Sequence, residues 1–210
     1  MRTAALERGA SLLLLVLASC QSPPPPPPWH ELFDGSSLGQ FVSTDFGGQG
    51  VVAVRDGRLQ LGLGSPLTGV TWTGPLPPAE YELEVAARRD LGSDFFCGLT
   101  FPVGASHLTL VLGGWGGSVC GLSSLNGLDA AHNDTRKTRY FAPARDYTVR
   151  VRVTHERVAV TLDGEPFLDV ALAGLTCSLR PEVLLSRPLG LASFATEASV
   201  RCCRWRALPH

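Results

Sequence analysis

The chain has 210 residues and a net charge of −1, because 18 Lys and Arg residues nearly balance 19 Asp and Glu residues. Basic and acidic residues are interspersed, which excludes the clustered basic face that a nucleic-acid-binding protein needs. With 44% hydrophobic residues, the chain is long enough to fold as one domain with a sizeable core.

The first residues have the pattern of an export signal. Two arginines precede the apolar run SLLLLVLA, which is too short to span a bilayer as a permanent helix. The run ends in LASC, residues 17–20, which resembles the lipobox of bacterial lipoproteins. The resemblance implies a signal peptide over residues 1–19, a diacylglycerol on Cys20 and a lipid anchor in the cell envelope. Gln21, in place of aspartate, is compatible with the outer membrane. The alternative is an ordinary secretory signal that contains a cysteine.

Residues 20–28 are predicted to form a lipidated tether. Six prolines follow Gln21 and Ser22, and a proline run favours an extended polyproline II rod. Such a spacer holds a domain about 20–30 Å from the membrane. A ligand for a proline-binding module is the alternative, but an exported chain favours the spacer. Residues 29–210 are then predicted to form one domain, since neither a second linker nor an internal repeat interrupts them.

Alternation of apolar and polar residues predicts that this domain is all-β. Two turn signals, Asp56-Gly57 and Asp163-Gly164, separate alternating segments as in β-hairpins. Strands with one apolar face predict antiparallel sheets, and two such sheets stack into a sandwich. The predicted strands span residues 58–63, 81–85, 107–112, 147–153, 158–162, 167–170 and 199–208.

The cysteines do not form a metal-binding pattern. Five remain after Cys20, and an odd number leaves at least one thiol unpaired. Cys202 and Cys203 are adjacent, so a strand directs them to opposite faces. The sequence has no Cys-x-x-Cys pair, and it therefore predicts no structural zinc site.

Three segments of the domain resemble one protein family. WHELFDGSSL, residues 29–38, resembles an opening often written LFDGKSLDGW; VRVRVTHERVAVTLDGEPFLDV, residues 149–170, resembles the family's late hairpin; residues 188–206 resemble its closing strands. The family is the 3-keto-disaccharide hydrolase domain, formerly a domain of unknown function, which is common in exported bacterial proteins, including those of planctomycetes. The resemblance implies a concanavalin A-like jelly-roll β-sandwich with a concave face.

The chain departs from that family where polar groups are expected. A family segment N-S-G-I corresponds to FCGL, residues 96–99, which keeps the glycine and the aliphatic position only. The next strand, Y-E-V-Q-I-L-D in the family, corresponds to LTLVLGG, residues 108–114. These changes remove groups that would polarise a sugar or bind a metal, and they favour binding over catalysis.

The resemblance also implies a reaction, the cleavage of 3-keto-glycosides. The carbonyl acidifies the neighbouring carbon, so a base removes that proton and the leaving group is expelled. The reaction needs an acid, a base and a stabiliser of the enediolate, such as a divalent metal or hydrogen-bond donors. The polar run NGLDAAHND, residues 126–134, supplies candidates: His132 as base or metal ligand, Asp129 or Asp134 as its partner, and Arg136 as oxyanion donor. The alternative is a long loop of turn-forming residues.

The segment GGWGG, residues 113–117, suggests a carbohydrate contact. Small neighbours leave the ring of Trp115 uncovered, so the C–H face of a sugar can stack on it. Asn126, Asp129 and Asn133 are the candidates to bind its hydroxyl groups. In the alternative interpretation, Trp115 fills the core and the glycines curve the sheet.

Three functions follow from these patterns: a hydrolase or lyase acting on glycosides, a non-catalytic lectin-like module, and a structural role at the cell envelope. Enzymatic activity is favoured if Trp115, His132 and the acidic residues share one cavity, and binding is favoured if Trp115 alone lines a groove. Glu82 and Glu84 lie two residues apart on one strand, and we interpret them as exposed residues of an outer sheet rather than as a catalytic carboxylate pair.

Overall fold

A computed structural model describes residues 25–209 of the chain. The predicted signal peptide, Cys20 and the first prolines of the predicted spacer lie outside the described residues, as does His210. No helix within residues 25–209 is long and apolar enough to cross a membrane.

The described residues form fifteen β-strands and a single 3-10 helix, Pro181–Ser186. The strands are β1 (His30–Phe33), β2 (Phe41–Ser43), β3 (Val52–Arg55), β4 (Arg58–Leu61), β5 (Leu67–Trp72), β6 (Tyr81–Gly92), β7 (Cys97–Val103), β8 (Ser106–Gly114), β9 (Val119–Ser123), β10 (Lys137–Thr138), β11 (Tyr147–Val153), β12 (Arg157–Leu162), β13 (Glu165–Ala171), β14 (Gly190–Phe194) and β15 (Thr196–Ala207).

The strands make two antiparallel sheets, so the predicted all-β jelly-roll sandwich is confirmed. Sheet A has the order β13-β12-β11-β6-β15-β4-β3, and β1 pairs with β15 beside this path. Sheet B has the order β10-β9-β8-β7-β14-β5-β2. Several neighbours in sheet order, such as β6 and β15 or β7 and β14, are far apart in sequence, because the chain crosses from one sheet to the other.

The core lies between the two sheets and follows the predicted alternation. In β11, Tyr147, Val149, Val151 and Val153 are at most 2% exposed, while the residues between them face outward. Leu110 of β8 is fully buried on the opposing layer. Each fully buried side chain of this size contributes about 1.5–3 kcal/mol relative to its exposed state.

Both predicted hairpin turns are confirmed by their backbone conformation. Asp56 and Gly57 have φ angles of 52° and 71°, and Asp163 and Gly164 have φ angles of 54° and 86°. Two consecutive residues with positive φ match the right-handed twist of the flanking strands. Asp-Gly is favoured at such turns because aspartate and glycine tolerate this region of φ/ψ space.

Glu82 and Glu84 do lie on the outer face of sheet A, but the interpretation of them as solvent-exposed is wrong. Their exposed fractions are 8% and 6%, because arginines of the neighbouring strands cover them. Glu84 accepts hydrogen bonds from Arg150 and Arg204, and Glu82 accepts from Arg206. Both carboxylates are therefore structural charges that tie β6 to β11 and β15.

The Glu84 pairs are expected to make the fold sensitive to acid. Burial raises the pKa of Glu84, but the hydrogen bonds from Arg150 and Arg204 outweigh it and hold the pKa below its usual value. A carboxylate whose pKa is lower in the folded than in the unfolded state stabilises the fold at pH values above the unfolded-state pKa. This contribution is lost as the pH falls through the folded-state pKa. Urea titrations from pH 7 to about pH 3 should therefore show falling stability.

Glu84→Gln should remove part of that pH dependence and lower the free energy of unfolding at pH 7 by about 1–3 kcal/mol, as for other hydrogen bonds to charged groups. Glu156→Gln, at an exposed position of the β11–β12 turn, is the matched control and should change little. If the free energy of unfolding depended on pH equally in the wild type and in Glu84→Gln, Glu84 would not be a source of the acid sensitivity.

The first aromatic residue after the proline run is held on the outer face of sheet A. The ring of Trp29 lies 4.5 Å from the Arg206 guanidinium carbon, 4.7 Å from that of Arg204 and 5.6 Å from that of Arg150. These distances are within the range of cation–π attraction. The chain therefore enters the domain on the sheet A side.

Candidate functional site

The outer face of sheet B is built from small residues and is crossed by a covering segment. Gly69, Gly98, Gly121, Thr100 and Ala192 lie on this face and leave little side-chain bulk above the strands. The covering segment, residues 176–187, begins at β9, where the backbones of Ser124 and Ser178 form two hydrogen bonds. It reaches β5, where the Thr71 hydroxyl donates to the Leu185 carbonyl over 2.8 Å.

A cleft remains between the covering segment and the opposite end of sheet B. Its volume is about 250 Å³. Thr109 and Val111 of β8 form its floor. The residues that line it are Leu67, Asp94, Phe95, Thr109, Val111, Trp115, Ser123, Arg180, Glu182, Val183 and Phe194. Most of them are apolar, and the charged side chains lie on the two walls. We call this space the Trp115 cleft.

Trp115 occupies the turn between β8 and β9 and is 41% exposed. Trp115 and Gly116 have φ angles of 49° and 86°, and the Gly117 and Ser118 N–H groups both donate to the Gly114 carbonyl. A bulky residue with positive φ is uncommon and persists only where its surroundings hold it. The turn therefore keeps the indole away from the core and at the wall of the cleft.

Arg89 of β6 holds this turn from inside the sandwich. Its Nη2 donates to the carbonyls of Asp94, Gly113 and Gly117 over 3.1, 3.2 and 3.0 Å. The Asp94 carboxylate also accepts from the Gly116 N–H over 3.0 Å. Arg89 is only 9% exposed, and burial lowers the pKa of its guanidinium. The turn is thus bonded on both sides, by a buried cation and by a carboxylate of the cleft.

The glycines of the turn are expected to differ in their tolerance of alanine. A Cβ on Gly113 would lie 2.5 Å from Arg89 Nη2, whereas a Cβ on Gly116 would have no neighbour within 4 Å. Both residues have positive φ, which costs a side chain about 1–2 kcal/mol. Gly116→Ala should therefore cost only that amount. Gly113→Ala should cost clearly more, because Arg89 cannot move without losing its hydrogen bonds. Equal unfolding free energies of the two variants by urea denaturation would contradict this account.

Four charged or titratable side chains form a chain at the rim of the cleft. Arg180 donates from Nη2 to Glu182 over 2.6 Å and from Nη1 to Asp129 over 2.5 Å, and His132 Nδ1 lies 2.7 Å from the other oxygen of Asp129. The hydrogen bond from Arg180 lowers the pKa of Glu182. Burial raises the pKa of Asp129, but the bond with His132 and the Arg180 charge outweigh it.

This arrangement sets the tautomer of His132. Since the lowered pKa of Asp129 keeps its carboxylate ionised, the carboxylate can only accept, and His132 Nδ1 must be the donor. In neutral His132, Nε2 then carries the lone pair. The imidazole is 68% exposed, so Nε2 is open to solvent and to any ligand beside it.

The predicted polar run 126–134 folds as a loop over the outer face of β9. The Asn133 amide donates to the carbonyls of Leu122 and Leu128, and its oxygen accepts from Thr135. The Asn126 side chain accepts from the Thr176 N–H over 2.8 Å. Both amides therefore stabilise the loop and its contact with the covering segment. Asp134 and Arg136 are exposed near its end.

The predicted site residues divide between two cavities. Trp115 lines the cleft on sheet B. Asn126, His132, Asn133 and Asp134 line a second cavity of about 510 Å³, between the loop and β13. Asp129 connects the two, because it bonds both His132 and the cleft residue Arg180. Arg136 lines neither the Trp115 cleft nor the second cavity.

Within residues 25–209, no three His, Cys, Asp or Glu side chains lie close enough together to bind a metal ion. Cys97, Cys120, Cys177, Cys202 and Cys203 are all free thiols. Burial raises the pKa of Cys97 to about 12 and that of Cys120 to about 11, so neither is reactive at neutral pH.

Sequence reasoning missed several residues of the cleft. Phe95 and Phe194 lie at its wall, and their ring centroids are 5.7 Å apart. Gly98, the glycine of the family motif, is the residue that could have indicated this wall. A Cβ at that position would lie 2.9 Å from the Phe95 ring, so glycine makes room for the ring. Asp94, Arg180 and Glu182 stand in no recognisable sequence motif. Asp94 and Arg180 lie between regular elements, and Glu182 lies in the 3-10 helix of the covering segment.

The fold and the cleft define a jelly-roll β-sandwich domain of the concanavalin A-like type. No protein-family model and no curated protein sequence matches the chain. The resemblance to the 3-keto-disaccharide hydrolase domain thus rests on the segments given above.

Solved structures share the fold at low sequence identity. A Crh5 transglycosylase in complex with NAG has a TM-score of 0.61 and 12% identity, and the match covers 87% of each chain. The exoplasmic/lumenal domain of VIP36, in a Ca2+/Man3GlcNAc-bound form, has a TM-score of 0.59 and 10% identity over 86% of this chain and 89% of that one. The carbohydrate binding module CBM66 from Bacillus subtilis has a TM-score of 0.53 and 10% identity over 80% of this chain and 96% of that one.

Proposed function

We propose that this domain binds a carbohydrate in the Trp115 cleft. The observation that carries the proposal is an exposed indole, fixed in an uncommon backbone conformation beside an apolar cleft. Aromatic rings bind the C–H faces of sugars, while a few polar groups orient the hydroxyls. The hydroxyls of Thr109 and Ser123 and the charged groups of the walls supply that second element. Solved carbohydrate-binding proteins with the same fold support the proposal.

A glycan array probed with the full chain in detergent tests this proposal. Binding should be restricted to a set of glycans that share one sugar, and titration calorimetry should give an affinity for the free sugar. Tyr140→Ala is the matched control, since Tyr140 is 78% exposed and does not line the cleft. Its profile should equal that of the wild type. If the chain bound no glycan on the array, the proposal would be wrong.

A second candidate function, cleavage of 3-keto-glycosides, is favoured by the pairing of His132 with Asp129. Asp129 orients the imidazole and leaves Nε2 as the basic atom, which is how a carboxylate supports a histidine base. In this function His132 removes the proton next to the 3-keto group. Asp134, which lines the same cavity as His132, is the candidate acid. Arg136 lies outside that cavity, so it is not placed to stabilise the enediolate as the sequence predicted. The substrate would occupy the second cavity, and Asn126 and Asn133 would contribute to its walls.

Incubation with a 3-keto-glucoside separates the two functions. Release of sugar by the wild type, at least tenfold slower in His132→Gln and Asp129→Asn, would support the enzymatic function. Repeating the assay with a chelator tests the divalent metal that the family resemblance suggests. Glycan binding without turnover would leave the domain as a binding module.

We also propose that the protein is an exported lipoprotein, anchored through Cys20 in the cell envelope at the outer membrane or the periplasmic face, and held off the membrane by its proline spacer. Because Trp29 packs on the outer face of sheet A, the tether would join the domain on the sheet A side, opposite the Trp115 cleft. Incorporation of labelled palmitate in the wild type, but not in Cys20→Ser, tests the anchor. Labelling of both would refute it.

A further inference from the structure

We propose that the Trp115 cleft receives a single uncharged sugar ring at the end of a glycan chain, and not an internal stretch of the chain. This inference rests on the carbohydrate-binding function proposed above and adds the class of ligand. It follows from three features of the cleft: one blocked end, its volume and the charges on its walls.

The cleft is blocked on the side of β5 and β14. Leu67, Val183 and Ala192 form a buried hydrophobic cluster that joins the 3-10 helix to the sheet, and Leu179 and Phe194 pack against it. The 3-10 helix is also bound to the strands by the hydrogen bond between Thr71 and Leu185. A glycan that extended in both directions along the sheet would have to displace this cluster. A chain end meets no such obstacle.

The volume of the cleft fits one ring. At about 250 Å³ it is smaller than the roughly 300–1,000 Å³ of sites that enclose drug-sized ligands. The ring of Trp115 stands at the wall opposite the covering segment and provides one stacking surface. Phe95 and Phe194 also line the cleft, but they pack against each other and against the buried cluster at its blocked end. Trp115 is therefore the one exposed aromatic ring among the residues that line the cleft.

The charges around the cleft disfavour an anionic sugar. Asp94 and Glu182 both line it, against a single cation, Arg180. Arg180 is already paired with Glu182 and with Asp129, so its charge is neutralised by two carboxylates. A uronate or sulfate would meet an excess of negative charge at short range. A neutral ring can instead bond to the carboxylates through its hydroxyls.

The length of the ligand tests the first part of the proposal. Titration calorimetry on the full chain would use methyl glycosides of glucose, galactose, mannose and xylose, and the di- and tetrasaccharides of the sugar that binds. The affinity of the methyl glycoside should be within about threefold of that of the tetrasaccharide. An affinity that rises more than tenfold with length would overturn end recognition while leaving carbohydrate binding intact. Absence of binding at every length would overturn both.

The charge of the ligand tests the second part. The methyl glycoside of the matching uronic acid should bind at least tenfold more weakly than the neutral sugar. Glu182→Gln should reduce this difference at least threefold, whereas Glu156→Gln, exposed on a distant turn, should leave it unchanged. Equal binding of the neutral and acidic sugars by the wild type would overturn the assignment. If Glu182→Gln and Glu156→Gln changed this difference equally, the preference for a neutral sugar would come from the net charge of the protein and not from the cleft.

Discussion

Replacing Arg89 with methionine is expected to lower the free energy of unfolding by about 3 kcal/mol, the largest stability effect that we predict for a single side chain. Three backbone carbonyls, of Asp94, Gly113 and Gly117, would lose their shared donor. Each buried acceptor left without a partner costs about 1–3 kcal/mol. Part of the loss is offset, because burying a guanidinium is itself unfavourable and Arg89 Nε has no partner among the described residues.

Arg88→Met is the matched control for this prediction. Arg88 is the preceding residue of β6 but faces outward, where it donates to Asp90 and Ser199. Its side chain is 30% exposed, so its loss should cost less than about 1 kcal/mol. Urea denaturation measures the free energy of unfolding of both variants. Equal destabilisation by the two substitutions would show that Arg89 does not hold the turn.

The fold could be predicted because its determinants are local. Residues 147–153 alternate without interruption, and β11 has the same bounds. Strands without such alternation were missed: β7 contains glycine and proline, and β9 is buried along its whole length. A strand covered on both faces has no polar face to show a period of two. The loop 126–134 lies over the outer face of β9, where a Cβ on Gly121 would meet Ala130, and it removes that signal from β9.

The site could be predicted only in part, because it depends on contacts between distant segments. Trp115 was found from its glycine neighbours, and the pairing of Asp129 with His132 lies within one loop. Arg180 is 51 residues from Asp129 in the sequence, and no local pattern connects them. Asn133 shows the opposite problem: a polar side chain in a turn-rich segment suggested a ligand contact, while its hydrogen bonds belong to the loop.

The glycines around Trp115 serve the backbone and the cleft together. Gly113 and Gly117 allow the guanidinium of Arg89 to approach the turn, since a Cβ at either position would lie within 3.4 Å of it. Gly116 supplies positive φ at the tip. The interpretation in which Trp115 fills the core is wrong, because the side chain is 41% exposed. The glycines shape the end of the sheet, and this shape exposes the indole.

Trp115→Ala is expected to weaken glycan binding by about 30-fold or more, equivalent to the roughly 2 kcal/mol that defines an interaction hot spot. The substitution removes the stacking surface, and alanine keeps the same turn with less strain than a bulkier residue. The free energy of unfolding should change by less than about 1 kcal/mol, because the side chain is 41% exposed. Trp115→Phe should retain part of the affinity, since a smaller ring still stacks. Calorimetry with the sugar identified on the array measures both. If Trp115→Ala binds as tightly as the wild type while remaining folded, the ligand site lies elsewhere.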